Sequence, residues 1–316
     1  MAVNNDELIF SVVVIAYNQE KYIEKTLDSI LSQEHSYSYE IIIGDDCSSD
    51  KTPQIIEEYR KSYPSIVKPI YNSKNLGAMN NYYNTISKVK GKYIMICGGD
   101  DYWLPLKVET QISFMEKNEA FGLCYGISRL CDENDNTLED TTGVACRNPI
   151  DILKIGNSVP ASTVCVRRTL FEKYITDIAP QNKNWLMEDY PLNIYAFLNS
   201  YVHFFDKCLS MYRIVNGSIT HQKNLKKLYT FEKSVYEVRS FFSDLYGISI
   251  EPFNSLEVID LLEKNNSNIN GIKTMARDLK RELKINTNRI KCLKLIKKFI
   301  KNFLPYGVLK LMKKCR

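Results

Sequence analysis

Ile9-Phe-Ser-Val-Val-Val-Ile-Ala16 decides the reading of this chain. It is a β-branched apolar run without polar alternation, the pattern of a strand buried on both faces. Tyr17-Asn18 breaks the run, and Tyr22, Ile23, Leu27, Ile30 and Leu31 follow at helical spacing. The exchange then repeats. Glu40-Ile-Ile-Ile-Gly44 reads as a second strand, closed by the polar turn Asp45-Asp-Cys-Ser-Ser-Asp50. Asp50 or Thr52 can cap the next helix, with Pro53 near its first turn. Ser65 to Ile70 is a third strand, Asn75-Leu-Gly77 opens a third helix, and Gly91-Lys-Tyr-Ile-Met-Ile-Cys97 is a fourth strand. A β-α-β-α-β-α-β order predicts an α/β fold, a mostly parallel sheet with helices on both faces. Ligands of such sheets bind beyond the carboxyl ends of the strands. Here those ends are Tyr17-Asn18, Asp45-Asp46, Lys74-Asn75 and Gly98-Gly-Asp-Asp101.

The remainder is less regular. Leu106 to Asn118 and Tyr190 to Asn199 read as helices, Phe121 to Ser128 as a strand, and Cys131 to Pro149 as a polar loop. Ser162 to Val166 and Val202 to Phe205 are short strand candidates. From Leu225 the chain reads as helical, with a polar break at 265–270.

Composition narrows the classes. The 316 residues are 44% hydrophobic and 25% charged, the balance of a globular protein rather than a disordered one. No run approaches the roughly 20 apolar residues of a transmembrane helix, and the N-terminus does not read as a signal peptide. None of the nine cysteines falls in a Cys-x-x-Cys pair, which argues against a zinc cage or redox dithiol and for free thiols in a reducing cytoplasm. The net charge of +5 is unevenly spread: residues 284–316 hold eleven Lys and Arg and no acid, leaving 31 basic against 37 acidic side chains in residues 1–283. A mildly acidic body argues against a nucleic-acid groove.

Gly98-Gly99-Asp100-Asp101 is the most informative cluster. Adjacent carboxylates after an apolar strand suit Mg²⁺ or Mn²⁺, hard ions that take one or two protein carboxylates together with substrate phosphates. A solvated turn is the plainer alternative, and three polar clusters at strand ends weigh against it. Asp46 can read a base or ribose, or can cap a helix. Tyr17 can stack on a nucleobase or pack at the core edge. Neither a Gly-x-Gly-x-x-Gly fingerprint nor a phosphate-binding P-loop is present, so side chains and a metal must hold any nucleotide.

Ser11-Val-Val-Val-Ile-Ala-Tyr-Asn-Gln-Glu20, Asp45-Asp-Cys-Ser-Ser-Asp50, Asn75-Leu-Gly77 and Gly99-Asp-Asp-Tyr-Trp-Leu-Pro-Leu-Lys107 together resemble the family 2 glycosyltransferases of the GT-A fold, over roughly residues 9–220. The resemblance implies a nucleotide-diphosphate-sugar donor, a divalent metal (Mn²⁺ or Mg²⁺) and transfer with inversion. Carried over residue by residue, Ala16, Tyr17, Asn18 and Glu20 border the nucleotide with Lys74 and Asn75. Asp46 reads the base, Asp100 lies near the ribose, and Asp101 is the metal ligand, with Asp100 beside it. Many members have one more aspartate where this chain has Gly98. In Trp185-Leu-Met-Glu-Asp-Tyr190, Asp189 matches the catalytic base and Glu188 is its helper or alternative; an acidic first helical turn is the structural reading of the same pair. Arg213 resembles a late diphosphate contact or is an ordinary surface arginine. Ser218-Ile-Thr220 belongs to the same late segment, and Pro160-Ala-Ser-Thr163 lies where the family meets its acceptor.

The expected organisation is a catalytic domain over 1–222, a helical extension over 223–283 and a basic tail over 284–316. Ile290, Leu293, Ile296, Ile300 and Phe303 share one side of a helical wheel, with Lys291, Lys294, Lys298 and Lys301 opposite. That pattern suits an anionic membrane surface, or a helix packed on the domain. A lipid-linked or glycan acceptor at the inner face of the cell membrane fits it. The rivals are a nucleotidyltransferase that makes nucleotide-sugars, for which a basic glycine-rich triphosphate loop is missing, and a non-catalytic scaffold, which would not need both acidic pairs.

Overall fold

The computed structural model describes residues 8–215, 224–265 and 271–284. They fall into two compact units: residues up to 215 together with Thr230–Phe253, and residues 224–229 together with 254–284.

In the first unit the opening alternation is present: β1 (Phe10–Ala16), α1 (Ile23–Leu31), β2 (Tyr39–Asp45), α2 (Thr52–Ser62), β3 (Val67–Tyr71), α3 (Ala78–Ile86) and β4 (Tyr93–Gly98). A two-residue β5 (Tyr102–Trp103), α4 (Lys107–Lys117), β6 (Phe121–Cys131), β7 (Thr137–Thr142) and α5 (Pro149–Ile155) follow. A 3₁₀ turn at Ala161–Thr163 leads into β8 (Cys165–Arg167), α6 (Arg168–Ile178), α7 (Asp189–Asn199), β9 (Tyr201–Arg213) and, from Thr230 on, α8 (Leu225–Tyr246). The sheet runs β3-β2-β1-β4-β8-β6-β9-β5, with β7 paired to β6. β3, β2, β1 and β4 are mutually parallel, β8 is antiparallel to β4 and to β6, and β9 is parallel to β6. Two reversals restore direction, so β6 and β9 point the same way as β1 and β4. Their carboxyl ends, Cys131 and Arg213, therefore share the edge that carries Ala16, Asp45 and Gly98.

The apolar run at β1 does what its composition dictates. Phe10, Val12, Val14 and Ala16 pack into one core layer and Val13 into the other, all buried. On one side lie α1, α2 and α4, through residues such as Leu27, Ile56 and Ile112. On the other lie α3, α5, α6, α7 and α8, through Tyr82, Ile152, Tyr174, Tyr190 and Phe242. α8 continues this core instead of starting a separate extension: Phe241 and Phe242 pack on Trp185 with ring centroids 5.4 and 6.3 Å away.

Two local readings change, and one helix carries no reading. The polar stretch after Cys131 contains β7, whose residues are almost all exposed; strand pairing to β6 holds it, and no buried face exists to leave a hydrophobic period. Ser162–Val166 is split, because the 3₁₀ turn takes 161–163 and only Cys165–Arg167 pairs. α6 breaks no rule of helical periodicity but follows β8 without a connecting loop, so its start carries no turn signal.

In the second unit α9 (Ser255–Asn265) and α10 (Ile272–Glu282) pair, with Lys280 2.8 Å from Asp260 and Lys226 2.6 Å from Glu282. Among the described residues no helix is long and apolar enough to cross a membrane. The amphipathic pattern at 289–303 and the Ser218–Thr220 segment lie outside the described residues.

Candidate active site

The Gly98–Asp101 turn is held from below by α1. The Thr26 hydroxyl lies 2.7 Å from the Asp101 carbonyl and 2.9 Å from that of Gly99. Ser29 Oγ accepts the Trp103 N–H at 3.0 Å, and Gln33 Nε2 donates to the Leu104 carbonyl at 3.0 Å. A Cβ on Gly98 would sit 3.0 Å from Asp100 Oδ1 and 3.5 Å from Asp101 Oδ2. The two carboxylates thus lean over Gly98. A third acid there would crowd two groups that already repel.

Asp101 is buried; its Oδ1 accepts the Arg213 backbone N–H at 3.0 Å, and the Ser162 hydroxyl, paired with Ser210 Oγ at 3.0 Å, lies near the carboxylate. Burial, and then the Asp100 charge, push its pKa well above the usual carboxylate range; burial also raises Asp100. Two desolvated carboxylates in contact with few donors form an oxygen set with excess negative charge, and a hard divalent cation would neutralise it. The residues present therefore fit Mn²⁺ or Mg²⁺ as a partial shell completed by donor phosphates. Among the described residues no cluster of three or more His, Cys, Asp or Glu side chains forms a protein-only metal site.

Arg213 ends β9 with a side chain only 1% exposed. Nη2 meets Asp135 Oδ1 at 2.7 Å, Nε donates to the Asp100 carbonyl at 2.9 Å, and Nη1 donates to the Asp132 carbonyl at 3.2 Å. The guanidinium also stacks over Tyr22, 4.6 Å from the ring centroid. This is neither a surface arginine nor a free phosphate ligand: its donors are committed inward, where they tie the Asp132–Asp135 turn to the acidic motif. Lys25 reaches Asp135 from the outside at 2.8 Å. Asp135 went unnoticed in the sequence, although Asp-Glu-Asn-Asp-Asn is a turn composition and Asp135 adopts a left-handed φ of 68°.

Asp46 is 2% exposed, and the loop after β3 closes over its carboxylate. Oδ1 accepts from Leu76 N at 2.8 Å and Asn72 Nδ2 at 3.1 Å, and Oδ2 accepts from Gly77 N at 2.9 Å. The bonds expected for a base are thus spent on the Asn75–Gly77 loop, whose Gly77 needs the φ of 82° that precedes α3. Asn75 Oδ1 also accepts the Gly77 N–H, and Lys74 is exposed.

The two loops beyond β1 and β2 interlock. Asn18 N donates to Ser48 Oγ at 2.9 Å, while Asn18 Oδ1 accepts from Ser49 N at 2.8 Å. Glu20 N donates to Asp50 Oδ2 at 3.0 Å, and Glu20 Oε2 accepts from Lys51 N at 2.9 Å. Asn18 and Glu20 therefore shape the loop pair and the start of α2. Ala16 is buried and receives the Asp46 N–H at its carbonyl, whereas Tyr17 projects half-exposed beside them.

Asp189 is the first residue of α7. Its Oδ2 accepts from Asn157 Nδ2 at 2.7 Å and its Oδ1 from the Tyr190 N–H at 2.7 Å. Glu188 precedes it without a side-chain cap bond. Burial raises both acids; Glu188 is pushed up to about 7 by burial and by the Asp189 charge. Asn157, also unnoticed in the sequence, belongs to the segment that runs on to Ser162. One stretch of chain thus holds Asp189 through Asn157 and, five residues on, carries Ser162 near Asp101.

A family model described as glycosyl transferase family 2 matches residues 11–213. The chain is 34% identical over 165 residues to the UDP-Glc:alpha-D-GlcNAc-diphosphoundecaprenol beta-1,3-glucosyltransferase WfaP of Escherichia coli, covering 51% of this chain and 61% of that protein. It is 36% identical over 114 residues to the putative teichuronic acid biosynthesis glycosyltransferase TuaG of Bacillus subtilis, covering 36% of this chain and 44% of the other. The chain spans about half the length of these curated relatives. Residues 1–349 of TarS from S. aureus, solved with UDP, superpose with a TM-score of 0.55 at 18% identity, covering 81% of this chain and 70% of that one. That likeness establishes a shared GT-A fold. With the parallel strand ends, the Gly-Gly-Asp-Asp turn and a matched family model over 11–213, the chain belongs to glycosyl transferase family 2.

Proposed function

We propose that this chain transfers a sugar from a nucleotide-diphosphate donor, a UDP-sugar in preference, to a hydroxyl of a glycan or lipid-linked saccharide, with inversion, in polysaccharide assembly. The observation that supports the reading is the buried Asp100-Asp101 turn at the carboxyl edge of the parallel strands, with the segment whose Asn157 bonds Asp189 running on to Ser162 near Asp101. In this reading Asp189, ionised, takes the proton of the acceptor hydroxyl as that oxygen attacks the anomeric carbon and the bond to the diphosphate breaks. Asn157 and the Tyr190 N–H fix the carboxylate's direction, and the start of α7 favours its ionised form. Glu188 sets the local charge. Asp101, with Asp100, would hold Mn²⁺ or Mg²⁺, whose bound charge stabilises the departing diphosphate. Tyr17, Lys74 and Asn75 border the nucleotide, and Asp46 keeps the Asn75–Gly77 loop in shape. Arg213 sets the position of Asp100 and Asp101.

UDP is preferred because WfaP is named for UDP-Glc and TarS was solved with UDP. The lipid-linked acceptor rests on the WfaP name, and an anionic membrane surface for residues 284–316 rests on their sequence alone. The test is a thermal-shift panel of UDP-, GDP- and dTDP-sugars with and without Mn²⁺. A shift that needs both a nucleotide and the metal supports the reading; no shift from any of them overturns it. Deleting residues 284–316 should reduce binding to anionic vesicles, and equal binding would remove the membrane role.

A further inference from the structure

A recess of about 250 Å³ lies beside the proposed base, lined by Asn157, Met187, Tyr190, Phe231, Glu232 and Val235. Three features make it more than a packing gap. First, Asn157 serves both places: it lines the recess and holds Asp189 Oδ2 at 2.7 Å. Met187 and Tyr190 flank the Glu188-Asp189 pair on either side, so the recess and the base share one short segment. Second, α8 is docked on that segment by a specific bond, Leu186 N to Ser234 Oγ at 2.9 Å, with Phe231, Glu232 and Val235 on adjacent turns. Third, polar capacity is unspent. Next to the lining residue Asn157, buried Asn193 donates to Asn157 Oδ1 at 3.3 Å, while its own Oδ1 has no partner among the described residues.

The wall chemistry is mixed in a particular way. Two aromatic rings, a thioether and a valine offer apolar surface, while one carboxylate and one amide offer directional acceptors and donors. A pyranose ring has that character: an apolar C–H face and a rim of hydroxyls. The volume falls below the roughly 300–1,000 Å³ of sites for drug-sized ligands, so it suits a single ring rather than an oligosaccharide.

We propose that the recess between the Asn157 loop, the start of α7 and α8 is a subsite for one pyranose ring of the acceptor, with Phe231, Glu232 and Val235 selecting it. The inference rests on Asp189 as the base of a glycosyl transfer. The α8 wall lies outside residues 11–213, so this subsite selects the acceptor with an element that the family match does not include.

The experiment uses the full chain with UDP and Mg²⁺, probed by saturation-transfer NMR with the methyl glycosides of glucose, galactose, mannose and N-acetylglucosamine. At least one probe should show saturation in the wild type. Val235→Trp, which fills the recess, should weaken it roughly tenfold or more, and Glu232→Gln and Phe231→Ala should each weaken it while UDP affinity stays within about twofold. Glu232 is exposed, so Glu232→Gln keeps the test valid should the larger residue disturb folding. Equal saturation in Glu232→Gln and Phe231→Ala, or no probe bound by wild type that binds UDP, overturns the subsite. Failure of the wild type to bind UDP at all would instead remove the transferase reading, and this inference with it.

Discussion

Replacing Arg213 separates two roles that a motif comparison cannot distinguish. A diphosphate contact would leave its guanidinium free in the unliganded protein, and losing it would weaken UDP binding without changing stability. The structure has it buried and committed to Asp135, the Asp100 carbonyl and the Asp132 carbonyl. Asp135 is 40% exposed, so that ion pair is discounted to about 1 kcal/mol or less. The two carbonyl bonds from a charged donor are worth about 1.5 kcal/mol each, the low end for such bonds. Arg213→Met, which keeps the apolar stem, should therefore cost about 3 kcal/mol. At roughly 2 °C or more per kcal/mol for a domain of this size, the unliganded protein should melt about 6 °C lower. Arg213→Lys should recover less than half of this, because a point charge can keep the Asp135 contact but cannot serve both carbonyls. The assay is a thermal melt without nucleotide, alongside UDP calorimetry. A methionine variant that melts within about 1 °C of wild type, the range of a surface substitution, yet loses UDP binding would refute the inward role.

Other outcomes follow from the acidic pair at α7. Asp189→Asn should cut sugar transfer by about 10² or more, the scale of lost general-base catalysis, and wild-type turnover would remove it from the chemistry. Glu188 has a folded pKa raised from the ordinary 4.5 to about 7, so the folded state holds the proton more tightly than the unfolded chain between those values. Stability should therefore fall as pH rises from about 4.5 to 7. Glu188→Gln should flatten that fall and melt higher than wild type at pH 8, and an unchanged pH–melting curve would contradict this assignment. The pair titrates jointly, so the pH profile reports both acids. Gly98→Asp should destabilise the metal-free protein, because its Cβ would sit 3.0 Å from Asp100 Oδ1, and added Mn²⁺ should recover part of the loss; a variant as stable as wild type without metal counts against the crowding.

What the sequence made legible is what burial imposes on it. β1, β2 and β4 are covered on both faces and so are continuously apolar, and parallel order then sends their polar ends to one edge. The acids at those ends were readable for the same reason. Their partners were not, because they come from remote segments with no periodic mark: Asn157 lies 32 residues before Asp189, and Asp135 lies 78 before Arg213. Asp46 shows the limit most clearly. Its place at a strand end could be read, but the direction of its carboxylate depends on the backbone N–H groups of Leu76 and Gly77, thirty residues on, which no side-chain pattern reports. β7 was invisible because an exposed hairpin buries no face. Arg213 was recognisable by charge, yet burial turned its role inward.

The account depends on Asp101 gripping a metal–diphosphate while Asp189 acts only on the acceptor. Calorimetric titration of UDP with Mn²⁺ into wild type, Asp101→Asn and Asp189→Asn tests this most directly. Metal-dependent binding that collapses in Asp101→Asn and persists in Asp189→Asn is the expected result, and undiminished binding in Asp101→Asn would contradict it.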